Sequence, residues 1–567
     1  LAITGANLAN QKEAVKQERR LSMDNRPYNT AIVDRWPELA FRNWGSAHSI
    51  IGSFDDLNAA SVDDVARFFR TYYAPNNAVL AVVGDLSIAE TKRRIESFFG
   101  SIPAQKPARP PDLAEPPAAG PRSDVYRDPL AQVPALIVGW PGPPRHSPDF
   151  SALWMADVLL TGGDSSRFQQ NLVKGRQSVL SYEANLAWPF DGPSAYREPN
   201  VYAMYFVHKP DVTGKQVLGH VEEELAKIAR EGVDARELER ARTFLRAARI
   251  RELQSTLARA TQLAHHEMFD GKPERITTLL DEATAATPAR IQAVVKKYLT
   301  AGRRIALEIA PAPNQKKPAA EVETAKSNPS EAPPPPPKEQ PPATPPLAVL
   351  KLPPMFETKL ASGLLVVLAE DARFPLVTVR LAFGAGRKFD PADRPGLAEA
   401  VASLLAEGTK TRTSRQIAEE AASIGGSVSA NAGPDTLTVA GSALAEHTTR
   451  LLDLVADVVR NPSFPADEVA LYKQNRKQSL IESRSHADFL AEERIHEVVF
   501  GSHPYARVNP TPESIDALDA ATLERFRAAH LVPNNGVLIV LGKLPPRVQL
   551  LKAIAARLGT WEPKTLP

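Results

Sequence analysis

Two distant stretches of the chain carry one hydrophobic pattern. Residues 56–86 read DLNAASVDDVARFFRTYYAPNNAVLAVVGDL, and residues 514–544 read SIDALDAATLERFRAAHLVPNNGVLIVLGKL. In each, apolar positions at helical spacing give way to Pro-Asn-Asn and then to a continuous apolar run that stops at glycine. The pattern predicts a helix, a tight turn and a short buried strand, VLAVVG in one copy and VLIVLG in the other. An amphipathic helix closing on a turn follows each strand, ending ESFFGSIP in one copy and AARLGTWEP in the other. The opening LAITGANLANQKEAVKQERR is also helical in pattern but polar, with no secretory signal.

The two copies align without a gap at an offset of 458, with identities at Ala59/Ala517, Arg67/Arg525, Phe68/Phe526, Pro75/Pro533, Asn76/Asn534, Asn77/Asn535, Gly84/Gly542 and Leu86/Leu544. Chance does not produce that over thirty-one positions, so the chain contains a duplication. The copies differ in what precedes them. About 165 residues of strands, a glycine-rich turn and helices stand before the later copy, whereas only 55 stand before the earlier one. Nothing there matches GLLVVLAEDARFPLVTVRLAFGAG at 363–386. The first block is therefore expected to be the C-terminal part of a domain whose front lies outside these residues, and Leu1 is read as a trimmed or truncated start.

Composition divides the chain further. Fifteen of the 51 prolines fall between Pro311 and Pro354, thirteen of them within 310–346, which has no aromatic residue, leucine, isoleucine or methionine, and seven more lie between Pro103 and Pro121. Such segments cannot repay the entropy of ordering and read as extended spacers. The expected organisation is a first block at 1–102, a connector at 103–121, a second block at 122–312, a linker at 313–346 and a third block at 347–565. With 567 residues, one core is too few. A net charge of +2 supplies no global attraction to nucleic acid or an anionic membrane, and no apolar run approaches the 18 residues or more of a membrane span. Zero cysteines exclude disulfides, thiol catalysis and cysteine-bound zinc within these residues.

Candidate chemistry enters with NQKEAVKQERRLSMDNRPY at 10–28. This stretch resembles the helix that follows the inverted zinc motif H-x-x-E-H in the insulinase/pitrilysin metallopeptidases, and that helix supplies their third metal ligand. The Pro-Asn-Asn, strand and glycine endings fit the same family, as does the 363–413 region. The resemblance places Glu18 at the third-ligand position. It implies a zinc cofactor, because a catalytic zinc takes three protein ligands and keeps one place for water. Gln11 stands where the family often has another acid. No H-x-x-E-H occurs in these residues, so the two histidines and the general base would have to come from a segment preceding Leu1 or from another polypeptide. The chain alone is expected to be inactive.

In the third block the family pattern falls on Gly396, Leu397 and Ala398, with Glu399, Ala402 and Ser403 at the three functional positions. All three are replaced, and the segment expected to bear the matching glutamate, KQNRKQSLI at 473–481, has no carboxylate. The resemblance thus implies a degenerate, metal-free catalytic-like domain. In the second block, Ser166, Arg167 and Phe168 match the family segment G-x-x-S-R-L. The substrate-gripping Arg and Tyr of metal-free halves are replaced by Val173 and Leu180, and Tyr182 stands two places out. His265, His266 and Glu267 are adjacent, so their side chains fan apart on a helix rather than converge. His496-Glu497 lacks a second histidine four residues on, and His503-Pro504-Tyr505 reads as a turn.

The resemblance implies an α+β fold of repeated domains, each an antiparallel sheet covered by helices, paired into two halves that close as a clamshell around a chamber. The implied activity is zinc-dependent endopeptidase hydrolysis of peptides or unfolded segments, in a periplasmic or secreted setting. The alternative is a non-catalytic peptide-binding or scaffold subunit of a processing-peptidase-like complex. Partners would be peptides and the missing terminal segments or a partner subunit, with no nucleic acid and no membrane.

Overall fold

The computed structural model describes residues 3–106, 109–116, 120–186, 196, 200–312 and 352–566. The proline-rich linker at 313–346 lies outside them. In the first block the polar helix α1 (Gly5–Arg19) runs into a π-helical turn at Arg20–Asp24. A second π turn at Ala31–Arg35 leads into the short α2 (Trp36–Ala40). The duplicated segment forms α3 (Val62–Tyr72) and α4 (Ile88–Phe99), each opened by a serine side chain accepting from the first turn. The run expected to be a buried strand, VLAVVG, pairs with no described residue and stays half-exposed to exposed, with Leu80 at 58% and Val82 at 48%. The strand prediction fails here because a strand needs neighbours, and none of the described residues flanks this one.

The second block holds a five-stranded mixed sheet: β1 (Arg122–Asp128), β2 (Ala135–Pro141), β3 (Val179–Leu186), β4 (Val201–His208) and β5 (Ile305–Pro311), in the order β1-β5-β2-β4-β3. Only β1 and β5 run parallel. The apolar helix α5 (Pro148–Thr161), α6 (Gly214–Glu231), α7 (Ala235–Glu252) and α8 (Pro288–Tyr298) build the core on one side, around Phe150, Phe168, Tyr202 and Phe206. The other side is covered by the first block. Tyr28, Ala31, Trp36 and Ala40 pack on Ala135, Ile137, Ala203, Ile305, Leu307 and Ile309. Gly139 in β2 makes room for this cap, since a Cβ there would lie 2.9 Å from the Trp36 ring.

The third block repeats the sheet plan with one more edge strand: β6 (Met355–Lys359), β7 (Leu365–Glu370), β8 (Leu376–Phe383), β9 (Ser427–Ala432), β10 (Leu437–Leu444) and β11 (Gly536–Gly542). Their order is β6-β7-β11-β8-β10-β9. Without β6, both sheets read first, fifth, second, fourth, third, and in both the last strand enters parallel to the first. The expected antiparallel sheets are thus mixed by one parallel pair each. Helices α9 (Leu397–Leu404), α10 (Ser414–Ser423), α11 (Thr448–Arg460), α12 (Ala466–Ser483), α13 (Ala487–Phe500), α14 (Ala520–His530) and α15 (Arg547–Leu558) complete the block. Its core includes Phe383, Leu454, Leu538 and Ile554.

The second and third blocks touch through α7 and α10. Gly425 adopts φ 64° against Ala247, where a Cβ would come within 2.8 Å of the alanine methyl. Lys174 reaches Glu407 and Ser414 and lies 3.6 Å from Glu468, and Lys209 donates to Gln474 at 2.8 Å.

Candidate functional site

Glu18 sits in the last turn of α1, and its neighbour Arg19 fixes how that turn is presented. Arg19 is buried: it donates to the Gly52 carbonyl at 2.7 Å and to Asp34 at 2.6 Å, and lies over the Phe54 ring at 5.7 Å. Successive helical residues point about 100° apart, so pinning Arg19 inward leaves Glu18 on the open side. Its side chain is exposed and takes no hydrogen bond or ion pair among the described residues, while its carbonyl accepts from Ser22 at 2.6 Å. The π turn begins two residues later, a local widening frequent near functional positions. Beyond it Tyr28 is held at φ 68°, a region costly for a residue with a Cβ. Two contacts hold it there: its N–H donates to Asp128 at 2.7 Å and its hydroxyl to the Val133 carbonyl at 2.9 Å. Burial pushes this phenol well above the ordinary tyrosine range.

In the third block the residues aligned with the family motif lie on and around α9. Helix α9 starts at Gly396, where Asp390 accepts from the N–H groups of Gly396 and Ala398, both at 2.8 Å. Burial raises the Asp390 carboxyl to about 6 in spite of those bonds. Along α9, Ala402 is buried, Ser403 is exposed and Glu399 points to α12. There Arg476 meets it, with Nε 2.9 Å from one carboxylate oxygen and Nη2 donating to the other at 3.3 Å. Burial, with the charge of nearby Glu399, pushes up the phenol of Tyr472, one turn before Arg476. The Glu399–Arg476 ion pair joins α9 to α12.

The repeat offset of 458 carries Glu18 onto Arg476. Sequence reading noted only that 473–481 lacks a carboxylate, and the packing identifies which residue faces the replaced motif. The signal was present in the constant offset, but an arginine in a basic helix carries no mark of its target.

The other candidates are architectural. Arg167 makes a two-pronged pair with Glu237 at 2.8 Å each, Ser166 meets the Tyr182 hydroxyl at 3.0 Å, and Phe168 and Val173 are buried. His266 is fully buried with Nδ1 2.7 Å from Asp270, which also takes Arg145 at 2.6 and 3.0 Å. These partners draw the Asp270 carboxyl down to about 2 against its desolvation. His496 bonds the Tyr505 carbonyl at 3.0 Å, and His503 accepts from the Tyr505 N–H at 3.2 Å. Among the described residues no three His, Cys, Asp or Glu side chains gather where they could hold a metal ion, so Glu18 would be a single ligand. Among them, too, no helix is long and apolar enough to cross a membrane.

Comparison with known proteins gives two family matches: residues 59–245 to "Peptidase M16 inactive domain" and residues 365–512 to "Insulinase (Peptidase family M16)". An uncharacterized zinc protease of Rickettsia bellii is 27% identical over 188 residues, covering 33% of this chain and 46% of that protein. One from Streptomyces coelicolor is 25% identical over 312 residues, covering 53% and 65%. The chain thus spans from about half to just under two thirds of the length of these relatives. Among solved structures, a protease from Helicobacter pylori superposes with a TM-score of 0.51 at 20% identity, over 55% of this chain and 74% of that one.

Proposed function

The chain belongs to the insulinase family of M16 peptidases, and on that premise we propose that it is the greater part of a zinc-dependent endopeptidase in which Glu18 is the third metal ligand. The observation that carries this reading is the contrast at one repeat position. Arg476 in the second half is occupied by Glu399, whereas Glu18 in the first half is an unengaged carboxylate on an exposed helix face. A metal site needs that carboxylate unengaged.

The residues present do not complete such a site. The two histidines and the general base would be carried by an H-x-x-E-H segment outside these 567 residues. Zinc held by that full set would supply an activated water. Glu18 would be an oxygen ligand fixed in direction by the burial of Arg19. The blocks at 1–102, 122–312 and 347–565 would serve as the rear of the catalytic domain, its companion and a metal-free counterpart, enclosing peptides or unfolded segments.

The test compares full-length protein with its Glu18→Gln variant. Zinc content should fall well below one per chain in the variant, and cleavage of an unfolded peptide should drop at least a hundredfold. Full zinc and full cleavage in the variant would overturn the ligand assignment. A full-length protein that binds peptide but holds no zinc would favour the peptide-binding or scaffold reading.

A further inference from the structure

A cavity of about 960 Å³ opens at the end of the second-block sheet where β1, β4 and β5 begin and β2 ends. Its size is that of a small-ligand site. Three stretches wall it. The sheet end supplies Arg122, Val201 and Arg303, the chain after α2 supplies Phe41 and Arg42, and residues 110–116 of the proline-rich connector close it. This part of the connector is docked rather than a free spacer. Glu115 accepts from the N–H groups of Arg42 and Asn43 at 2.8 and 2.9 Å, and the Asn43 side chain donates to the Asp112 carbonyl at 2.7 Å. Leu113 lies against Gly45, where a Cβ would come within 2.7 Å of it.

The charges on this wall do not balance. Among the described residues, four arginines line it, Arg42, Arg122, Arg145 and Arg303, against a single acid, Glu115. Arg145 is matched by Asp270, which does not line the cavity, at 2.6 and 3.0 Å. Arg122 donates to the Ala40 carbonyl at 2.8 Å and Arg303 to the Pro141 carbonyl at 3.4 Å, neutral partners that leave both charges in place. The Arg42 guanidinium has no hydrogen bond or ion pair among the described residues. Burial and the charge of Arg42 lower Arg122 from its ordinary value. Both Glu115 oxygens already hold backbone N–H groups. Around the cations the wall is apolar, with Phe41, Leu113, Val201, Phe269 and several prolines.

We propose that this cavity binds an organic carboxylate carrying an apolar group beside the acid, as in the C-terminal residue of a peptide or a free arylalkanoic acid. Arg42, Arg122 and Arg303 would take the carboxylate, whose planar pair of oxygens matches a guanidinium through two parallel hydrogen bonds. The apolar group would lie against Phe41, Val201 and Phe269. Glu115, set among the cations, opposes a polyanion and favours a ligand of low charge. The inference is independent of the catalytic reading, since it needs neither zinc nor an active site.

Calorimetric titration of the full-length protein, with a chelator present so that no peptide is cut, tests it. The probes are N-acetyl-Ala-Phe with a free C-terminus, the same peptide as its C-terminal amide, phenylpropanoate and inorganic phosphate. Either acid should bind, the amide should bind at least tenfold more weakly than the acid peptide, and phosphate should not compete. Tighter binding of the acid peptide than of phenylpropanoate would identify peptide ends as the source, and the reverse a free acid; both support the proposal. Arg42→Gln, at an exposed side chain, should weaken the acid at least fivefold, and Arg42→Gln with Arg303→Gln at least twentyfold. Equal binding of acid and amide, phosphate competing as well as the acids, no binding of either acid at millimolar concentration, or undiminished binding in Arg42→Gln would each overturn the proposal.

Discussion

The two copies of the duplicated unit expose what the other buries. In the later copy β11 lies between β7 and β8, and Leu538 and Val540 are fully buried; in the earlier copy their counterparts Leu80 and Val82 face solvent. Conversely, Ala31, Trp36 and Ala40 ahead of the earlier copy are sealed under β2, β4 and β5, while α13, ahead of the later copy, has no buried residue. Local sequence of one pattern, identical at 11 of 31 positions, therefore gives the same helices and turns but opposite burial. The difference lies in neighbours contributed by distant parts of the chain. A hydrophobic run states a capacity to be buried, and only an opposing surface realises it.

The sharpest way to break this contrast is a charge at equivalent strand positions. Leu538→Asp would place an unpaired carboxylate in the core of the third block, costing more than about 4 kcal/mol and removing exchange protection from β8 and β11. Leu80→Asp should change the stability of this chain by less than about 0.5 kcal/mol. Similar losses from both would show that the earlier strand is covered after all.

A smaller effect separates Glu18 from Arg476. Arg476→Met leaves Glu399 half-buried without its cation and should loosen α9 and α12 by about 1–2 kcal/mol, discounted for the partial exposure of both groups. Adding Glu399→Gln should restore most of that loss, whereas Glu18→Gln should leave the stability of this chain unchanged. Denaturant titration followed by exchange at 397–404 reads the difference.

The second and third blocks should also part with pH. On the helix side of the second-block sheet, Asp157 accepts from the Tyr202 hydroxyl at 2.9 Å and from Thr161 at 3.1 Å, and burial raises its carboxyl to about 7. Its folded value lies above the unfolded one, so its contribution is full below about pH 4 and is lost as pH rises through about 7. Between pH 6 and 8 the second block, and the cap docked on it, should lose on the order of 1 kcal/mol. The third block should lose about a third as much over that window, because Asp390, at about 6, is already half ionised where it opens. Asp157→Asn keeps an acceptor for both hydroxyls and should flatten the second-block slope. An unchanged slope would remove Asp157 as its cause.

Much of the local architecture was legible in the chain. The helix–Pro-Asn-Asn units follow from residue order, because turn chemistry and helical periodicity act over a few residues. The strand at VLAVVG was misread for the same reason: its apolar run satisfies every local criterion, and nothing nearby reveals that its flanking strands are absent from the described residues. The shared strand order of the two sheets was also out of reach, since their sequences carry no visible likeness.

At the candidate site, sequence placed Glu18 on a helix and in a family. That its carboxylate stands free follows from Arg19 turning inward to Asp34 and Gly52, contacts 15 and 33 residues away. Likewise, residue order shows that 473–481 holds no carboxylate, but the fold brought Arg476 across to Glu399, 77 residues distant. What the sequence alone determined is the set of local shapes. The tertiary structure decided which apolar faces are covered and which charges meet, because burial and pairing depend on surfaces that only folding brings together.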